Sequence, residues 1–177
     1  MKIGVDISQI YYEKTGVSSY LSQVLDRLLQ TDDKNEYIFF YSSLRGKLDT
    51  SKLNFLKKTN SKLKTFKLPP ALLDLLWNKL HIIPIESFIG NVDIFLTSDW
   101  TEPPTRKAKK ATILYDLIIY KYPNETDKQI VETQKRKLKW VKKESDLIFC
   151  ISEATKKDAM KILGIEEEKL KVIYPGI

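Results

Sequence analysis

Two hydrophobic rhythms take turns along this chain. Lys2-Ile3-Gly4-Val5-Asp6 alternates with the period of two expected of a strand. A polar loop follows, and Thr15-Gly16 opens a stretch where Val17, Tyr20, Leu21, Val24, Leu25 and Leu28 recur at helical spacing. Asp32 to Asn35 predicts a turn, and Glu36 to Tyr41, with Tyr37-Ile38-Phe39-Phe40 inside it, a strand buried on both faces. Leu63 to Leu68 alternates again. Pro69-Pro70 then breaks the chain ahead of a predicted helix carrying Leu72, Leu73, Leu76, Trp77 and Leu80. Further strands are predicted at Val92 to Leu96, Ala111 to Tyr115, Leu147 to Ile151 and Leu170 to Tyr174. Helices are predicted over Asp127 to Lys143, with Ile130, Val131, Leu138 and Val141 inward, and from a Ser152 cap to Leu163, ended by Gly164. Ser42 to Asn60 has no clear period. Strands alternating with helices predict an α/β fold, a parallel sheet covered on both faces.

Length and charge narrow this picture. The 177 residues fit one domain, spanning 1–177. The single cysteine, Cys150, allows no internal disulfide and fits a reducing compartment; inside an apolar strand it reads as inert core. The amino terminus shows no secretory leader, and no uncharged stretch of about 18 residues spans a membrane. The net charge of +7 favours an anionic partner: a nucleotide, a phospholipid surface or nucleic acid. His81 is the only histidine, so a histidine-rich metal site is excluded, and no Asp-x-Asp pair is present to hold a divalent cation.

In open parallel sheets, ligands bind outside the carboxyl ends of the strands. Five such ends are legible: Asp6-Ile7-Ser8, Thr97-Ser98-Asp99-Trp100, Tyr115-Asp116, Ser152-Glu153 and Pro175-Gly176. Carboxylates and hydroxyls there suit a shared site, and turn chemistry alone would also place them. The turn before the first helix can aim backbone N–H groups and a helix dipole at an anion, although Gly16 alone also reads as a plain helix start.

Thr112-Ile113-Leu114-Tyr115-Asp116-Leu117, with Tyr122-Pro123 downstream, resembles the family 4 glycosyltransferases, where a strand ends in His-Asp-Leu. Ser145 to Asp158 and Leu163-Gly164-Ile165, followed by Lys169 to Gly176, are similar to that family's next strand, helix and strand. Ile3-Gly4-Val5-Asp6 with Lys14-Thr15-Gly16-Val17 resembles its opening, as does Asp93-Ile94-Phe95 followed by Ser98 and Pro103-Pro104.

This resemblance implies a Rossmann-like domain forming one half of a GT-B architecture, the amino-terminal, acceptor-side half, with the donor domain beyond Ile177. It implies retaining transfer of a sugar from a nucleotide-diphosphate sugar to a glycan or lipid-linked acceptor, without metal or other cofactor. Tyr115, standing where the family has histidine, and Asp116 would be catalytic, Tyr115 at the sugar and Asp116 ordering its loop or an acceptor hydroxyl. Gly16, Val17, Ser98, Asp99, Ser152 and Glu153 would bind substrate. Half of such an enzyme is expected to transfer no sugar alone. The expected location is the cytoplasm, peripheral on the membrane's inner face if Lys57, Lys58, Lys62, Lys64 and Lys67 dock there beside the Leu72–Trp77 helix. Two alternatives stand beside this reading: a basic nucleic-acid binder, against which no RRM, KH or helix-turn-helix pattern appears, and a non-catalytic interaction module.

Overall fold

The computed structural model describes residues 1–13, 15–97 and 99–175. Its centre is one seven-stranded sheet, parallel throughout, in the order β3-β2-β1-β4-β5-β6-β7. The strands are β1 Lys2–Asp6, β2 Glu36–Ser42, β3 Ser61–Phe66, β4 Ile94–Thr97, β5 Lys109–Leu114, β6 Leu147–Cys150 and β7 Leu170–Val172. The helices are α1 Gly16–Thr31, α2 Pro70–Leu73, α3 Glu86–Ile89, α4 Ile118–Lys121, α5 Lys128–Glu144 and α6 Glu153–Asp158. α2 runs on into a π-helix at Asp74–Lys79, and α6 into another at Ala159–Leu163. Both the predicted class and its covering of helices on two faces are present.

The chain begins in the middle of the sheet and works outward twice. β1 pairs with β2 on one side and β4 on the other, so strand order reverses between β1 and β4. One face carries α1, whose Tyr20, Leu21, Leu25 and Leu29 pack on Val5, Tyr37, Phe39 and Ile113. The stretch without period, Ser42 to Asn60, holds two 3-10 turns on this side, and Phe55 is buried among the α1 contacts. The other face carries two clusters. Leu73, Trp77, Ile85 and Ile89 cover Phe40 and Phe95, while α5 and the π-helix that continues α6 cover Ile148, Cys150 and Leu170 through Val131, Leu138, Val141 and Ala159. Gly4 lies where a Cβ would come within 2.7 Å of Ile89 and Phe95, so the central strand needs glycine there for close packing.

Several details depart from the sequence reading. The helix from Pro70 buries Leu73 and Trp77 against the sheet, while Leu75 and, at its end, Leu80 stand exposed. Lys62 and Lys64 stand exposed on β3, an edge strand, where lysines discourage pairing with another sheet. Ile130 is exposed while Lys137, on the same helix, is buried. Lys110 is buried as well, its Nζ 3.0 Å from both Glu102 and Glu144.

Candidate functional site

At the reversal point the crossovers leave β1 and β4 in opposite directions, which opens a crevice above their carboxyl ends. A cleft of about 660 Å³ occupies it. Asp6, Ser8 and Gln9 from the end of β1 border it, as do Ser42 and Ser43 from the end of β2. Asp74 on the π-helix and Arg136 on α5 form a further wall, and Tyr11, Tyr12 and Trp100 contribute three exposed aromatic rings.

Asp6 is only 4% exposed. Its Oδ1 accepts the Ser8 N–H at 2.9 Å, a turn that folds the loop back over the strand end, and Thr101 Oγ1 lies 3.5 Å from its Oδ2. Burial pushes the Asp6 carboxyl up from its ordinary value, against the opposing pull of Ser8, Lys137 and Thr101. Gln9 is 3% exposed; its Nε2 donates to the Tyr115 hydroxyl at 2.9 Å, and its Oε1 has no partner among the described residues. The Arg136 guanidinium is gripped by Asp74 at 2.8 Å and Thr133 at 3.0 Å, while its buried Nε is likewise unpartnered. A buried acceptor or donor left unmade costs about 1–3 kcal/mol, so both atoms call for a polar group, from water or a ligand, to meet them.

Behind the cleft lies a buried charged layer. Lys137 is 3% exposed beneath Asp6, Asp99 and Glu102; burial pushes its ammonium down, and those three carboxylates oppose the shift. Thr97 Oγ1 donates to Glu102 at 2.7 Å, and the Glu102 N–H donates to Asn78 Oδ1 at 3.0 Å. α5 is joined to the π-helix and the loop that follows it by three polar rungs: Asp74 to Arg136 at 2.8 Å, the Asn78 carbonyl to Trp140 Nε1 at 2.8 Å, and, from the loop, His81 Nε2 to Glu144 at 2.9 Å.

The residues expected from sequence fall mainly on the neighbouring strand ends. Tyr115 follows β5, buried, with its ring edge-on to Tyr20 at 5.7 Å; burial holds its phenol far above the ordinary range, so it stays neutral. Asp116 is exposed and accepts the Ile118 N–H at 3.0 Å, capping the turn into α4. Asp99 follows β4, its carboxyl pushed up by burial and by Asp116 against Lys137, with Gln134 donating to its carbonyl at 3.0 Å. Ser98 lies outside the described residues. Ser152 caps α6 by accepting the Thr155 N–H at 3.1 Å, and Thr155 in turn donates to the Tyr115 carbonyl at 3.1 Å. Glu153 is the exposed first residue of α6. Gly16 and Val17 open α1, capped by Thr15; Val17 packs into the core, and a Cβ on Gly16 would meet nothing within 4 Å.

Tyr115, Asp116, Asp99 and Ser152 are thus brought to one edge. None of the described members of the expected set borders the cleft, and Tyr115 reaches it through Gln9. Gln9, Asp74 and Arg136 were not legible as site residues, because they meet only through the fold. Among the described residues, no group of three or more histidine, cysteine, aspartate or glutamate side chains is arranged to hold a metal ion. Among the same residues, no helix is long and apolar enough to cross a membrane.

Fold and crevice define a Rossmann-like α/β domain with a ligand-sized cleft at its reversal point. No protein-family model matches the chain, and no curated protein matches it either.

Proposed function

We propose that residues 1–177 form the acceptor-side domain of a retaining glycosyltransferase, and that the cleft above β1 and β4 seats a saccharide acceptor. One observation carries this reading: exposed Tyr11, Tyr12 and Trp100 rings stand around a crevice whose buried polar groups include Asp6 and the unpartnered Gln9 Oε1. Aromatic faces match the apolar C–H face of a pyranose, and paired carboxylate and amide oxygens match its hydroxyls. The order of motifs resembling family 4 supports the reaction class. The donor sugar of a nucleotide diphosphate would meet the acceptor over Tyr115 and Asp116, one strand along from β4, and Ser152, two strands along. Gly16 and Val17 would lie on the phosphate side, and a second domain would close over that edge.

The test is protein-observed NMR of residues 1–177 against a saccharide panel, with dissociation constants on the order of millimolar expected for one wall of a cleft. Shifts should cluster at Gln9, Tyr11 and Trp100 and disappear in Trp100→Ala. Saccharides that leave those resonances unmoved at high concentration remove the acceptor assignment. Residues 1–177 alone should release no nucleoside diphosphate from nucleotide sugars, whereas the chain joined to a donor domain should.

A further inference from the structure

At the end of the sheet away from the strand exits, the chain leaves the π-helix through Leu80, His81, Ile82 and Ile83. Leu80, Ile82 and Ile83 are 55%, 46% and 40% exposed, and Leu75 on the same helix is 41% exposed. This is an unusual concentration of aliphatic surface. Its backbone is unusual too: His81 has φ 54° and Ile83 φ 60°, and a β-branched residue in the left-handed region is a true outlier. Such strain persists only where surrounding contacts over-determine it.

Those contacts are present. The Trp77 indole N–H donates to the Ile83 carbonyl at 3.0 Å. The His81 ring has Nδ1 2.7 Å from the Trp77 carbonyl and Nε2 2.9 Å from Glu144, and it lies flat on Trp140 at 3.5 Å. The loop is therefore braced with Ile82 and Ile83 turned outward.

Cations surround it. Lys79 precedes it and is exposed. Lys139 and Lys143, also exposed, hold their ammonium groups 5.5 and 4.9 Å from the centre of the Trp140 ring on which His81 lies. On the other side, Glu86 accepts the N–H groups of Arg106 and Lys107, two exposed cations, and the Ile85 N–H donates to the Pro104 carbonyl. The neighbouring carboxylates are engaged: Glu144 with His81 and Lys110, Glu86 with the 106–108 backbone.

From this we propose that the Leu80–Ile83 loop is a docking tip for an anionic lipid surface, its aliphatic side chains entering the headgroup boundary and its lysine and arginine collar facing the phosphates. A protein partner fits less well, since lysine is depleted at the cores of protein interfaces, while long basic side chains around an apolar tip suit a headgroup layer. The proposal does not depend on the saccharide reading of the cleft.

The experiment is co-sedimentation of residues 1–177 with phosphatidylcholine vesicles, with and without phosphatidylglycerol. Binding is expected only with the anionic lipid, and it should weaken with added salt. Lys139→Glu and Lys143→Glu should each lower vesicle affinity about fivefold or more. Leu80→Ser with Ile82→Ser should abolish binding while the melting temperature holds, because both side chains are exposed. Lys62→Glu with Lys64→Glu, on the β3 edge, should change it far less, which separates a defined tip from general positive charge. Equal binding to both vesicle types, binding to neither, or wild-type binding by the serine variant overturns the proposal. So does a concentration-dependent dimer that the same serine substitutions dissolve, which would assign the tip to a second copy of this chain.

Discussion

Gln9 and Tyr115, 106 positions apart in sequence, meet through a buried hydrogen bond of 2.9 Å from the Gln9 amide to the Tyr115 hydroxyl. That contact ties the exit of β1 to the exit of β5; it uses one of the amide's two N–H groups, and the carbonyl oxygen has no partner among the described residues.

Replacing Tyr115 by phenylalanine strands the Gln9 amide without an acceptor. The expected loss is about 1–3 kcal/mol, read by urea denaturation, together with weaker saccharide binding. Gln9→Leu removes donor and orphan acceptor together, so it should cost less stability yet abolish binding. If Tyr115→Phe leaves both properties untouched, the contact neither supports the fold nor orients Gln9.

Asp6 sets a dependence on pH. Its folded pKa is raised above the ordinary 3.8, so the stability it contributes is fully present below the unfolded value and lost as pH rises through the folded value. Asp6→Asn should therefore melt higher than wild type at pH 7 and level with it below about pH 4. Calorimetry at the two pH values checks this; a difference that grows on acidification would reverse the sign.

Lys137 offsets three buried carboxylates, Asp6, Asp99 and Glu102. Lys137→Met should destabilise the domain by about 3–5 kcal/mol, the usual result of removing one partner from a buried charged cluster. Adding Asp6→Asn should recover part of that loss, a non-additivity that a double-mutant cycle measures directly.

The Cys150 thiol is fully buried and pushed up to about 11 by that burial. A thiol reagent at pH 8 should find nothing in the folded protein and one reactive group after unfolding in urea. Stoichiometric labelling of the native state would contradict its place in the core.

Gly16 separates a helix start from a ligand contact. Gly16→Ala adds a methyl group into open space and should stabilise by about 0.4–1 kcal/mol. Gly16→Val should be tolerated by the fold, yet stop turnover in an enzyme joined to its donor domain if a substrate approaches that backbone. Normal turnover by the valine variant would leave Gly16 as the first residue of α1 and nothing more.

All seven strands could be read from the sequence because each is a short apolar or alternating run set off by turn residues. The long helices were legible from their spacing. The Ser42–Asn60 stretch was not, since isolated 3-10 turns are too short to establish a period. The burial of Lys110 and Lys137 was not legible for a different reason: a lysine reads as solvated until the fold supplies carboxylates such as Glu102 to bury it with. Of the strand ends singled out, Asp6, Ser8 and Trp100 border the cleft, while Asp99, Tyr115, Asp116, Ser152 and Glu153 do not. The cleft itself depends on Asp74 meeting Arg136 across 62 positions, and no local pattern encodes such a meeting.

The three rungs that tie α5 to the π-helix and its following loop leave from Arg136, Trp140 and Glu144, successive positions four apart on one helix. Neither helix can slide along the other without breaking all three at once, so the pair moves as a single beam. One end of that beam carries the Asp74–Arg136 wall of the cleft, and the other carries His81 and the loop around it. If the beam holds, pressure on Leu80, Ile82 and Ile83 is expected to reach the Asp74–Arg136 wall, and a saccharide seated in the crevice as proposed should be gripped differently when the far end of the molecule is loaded.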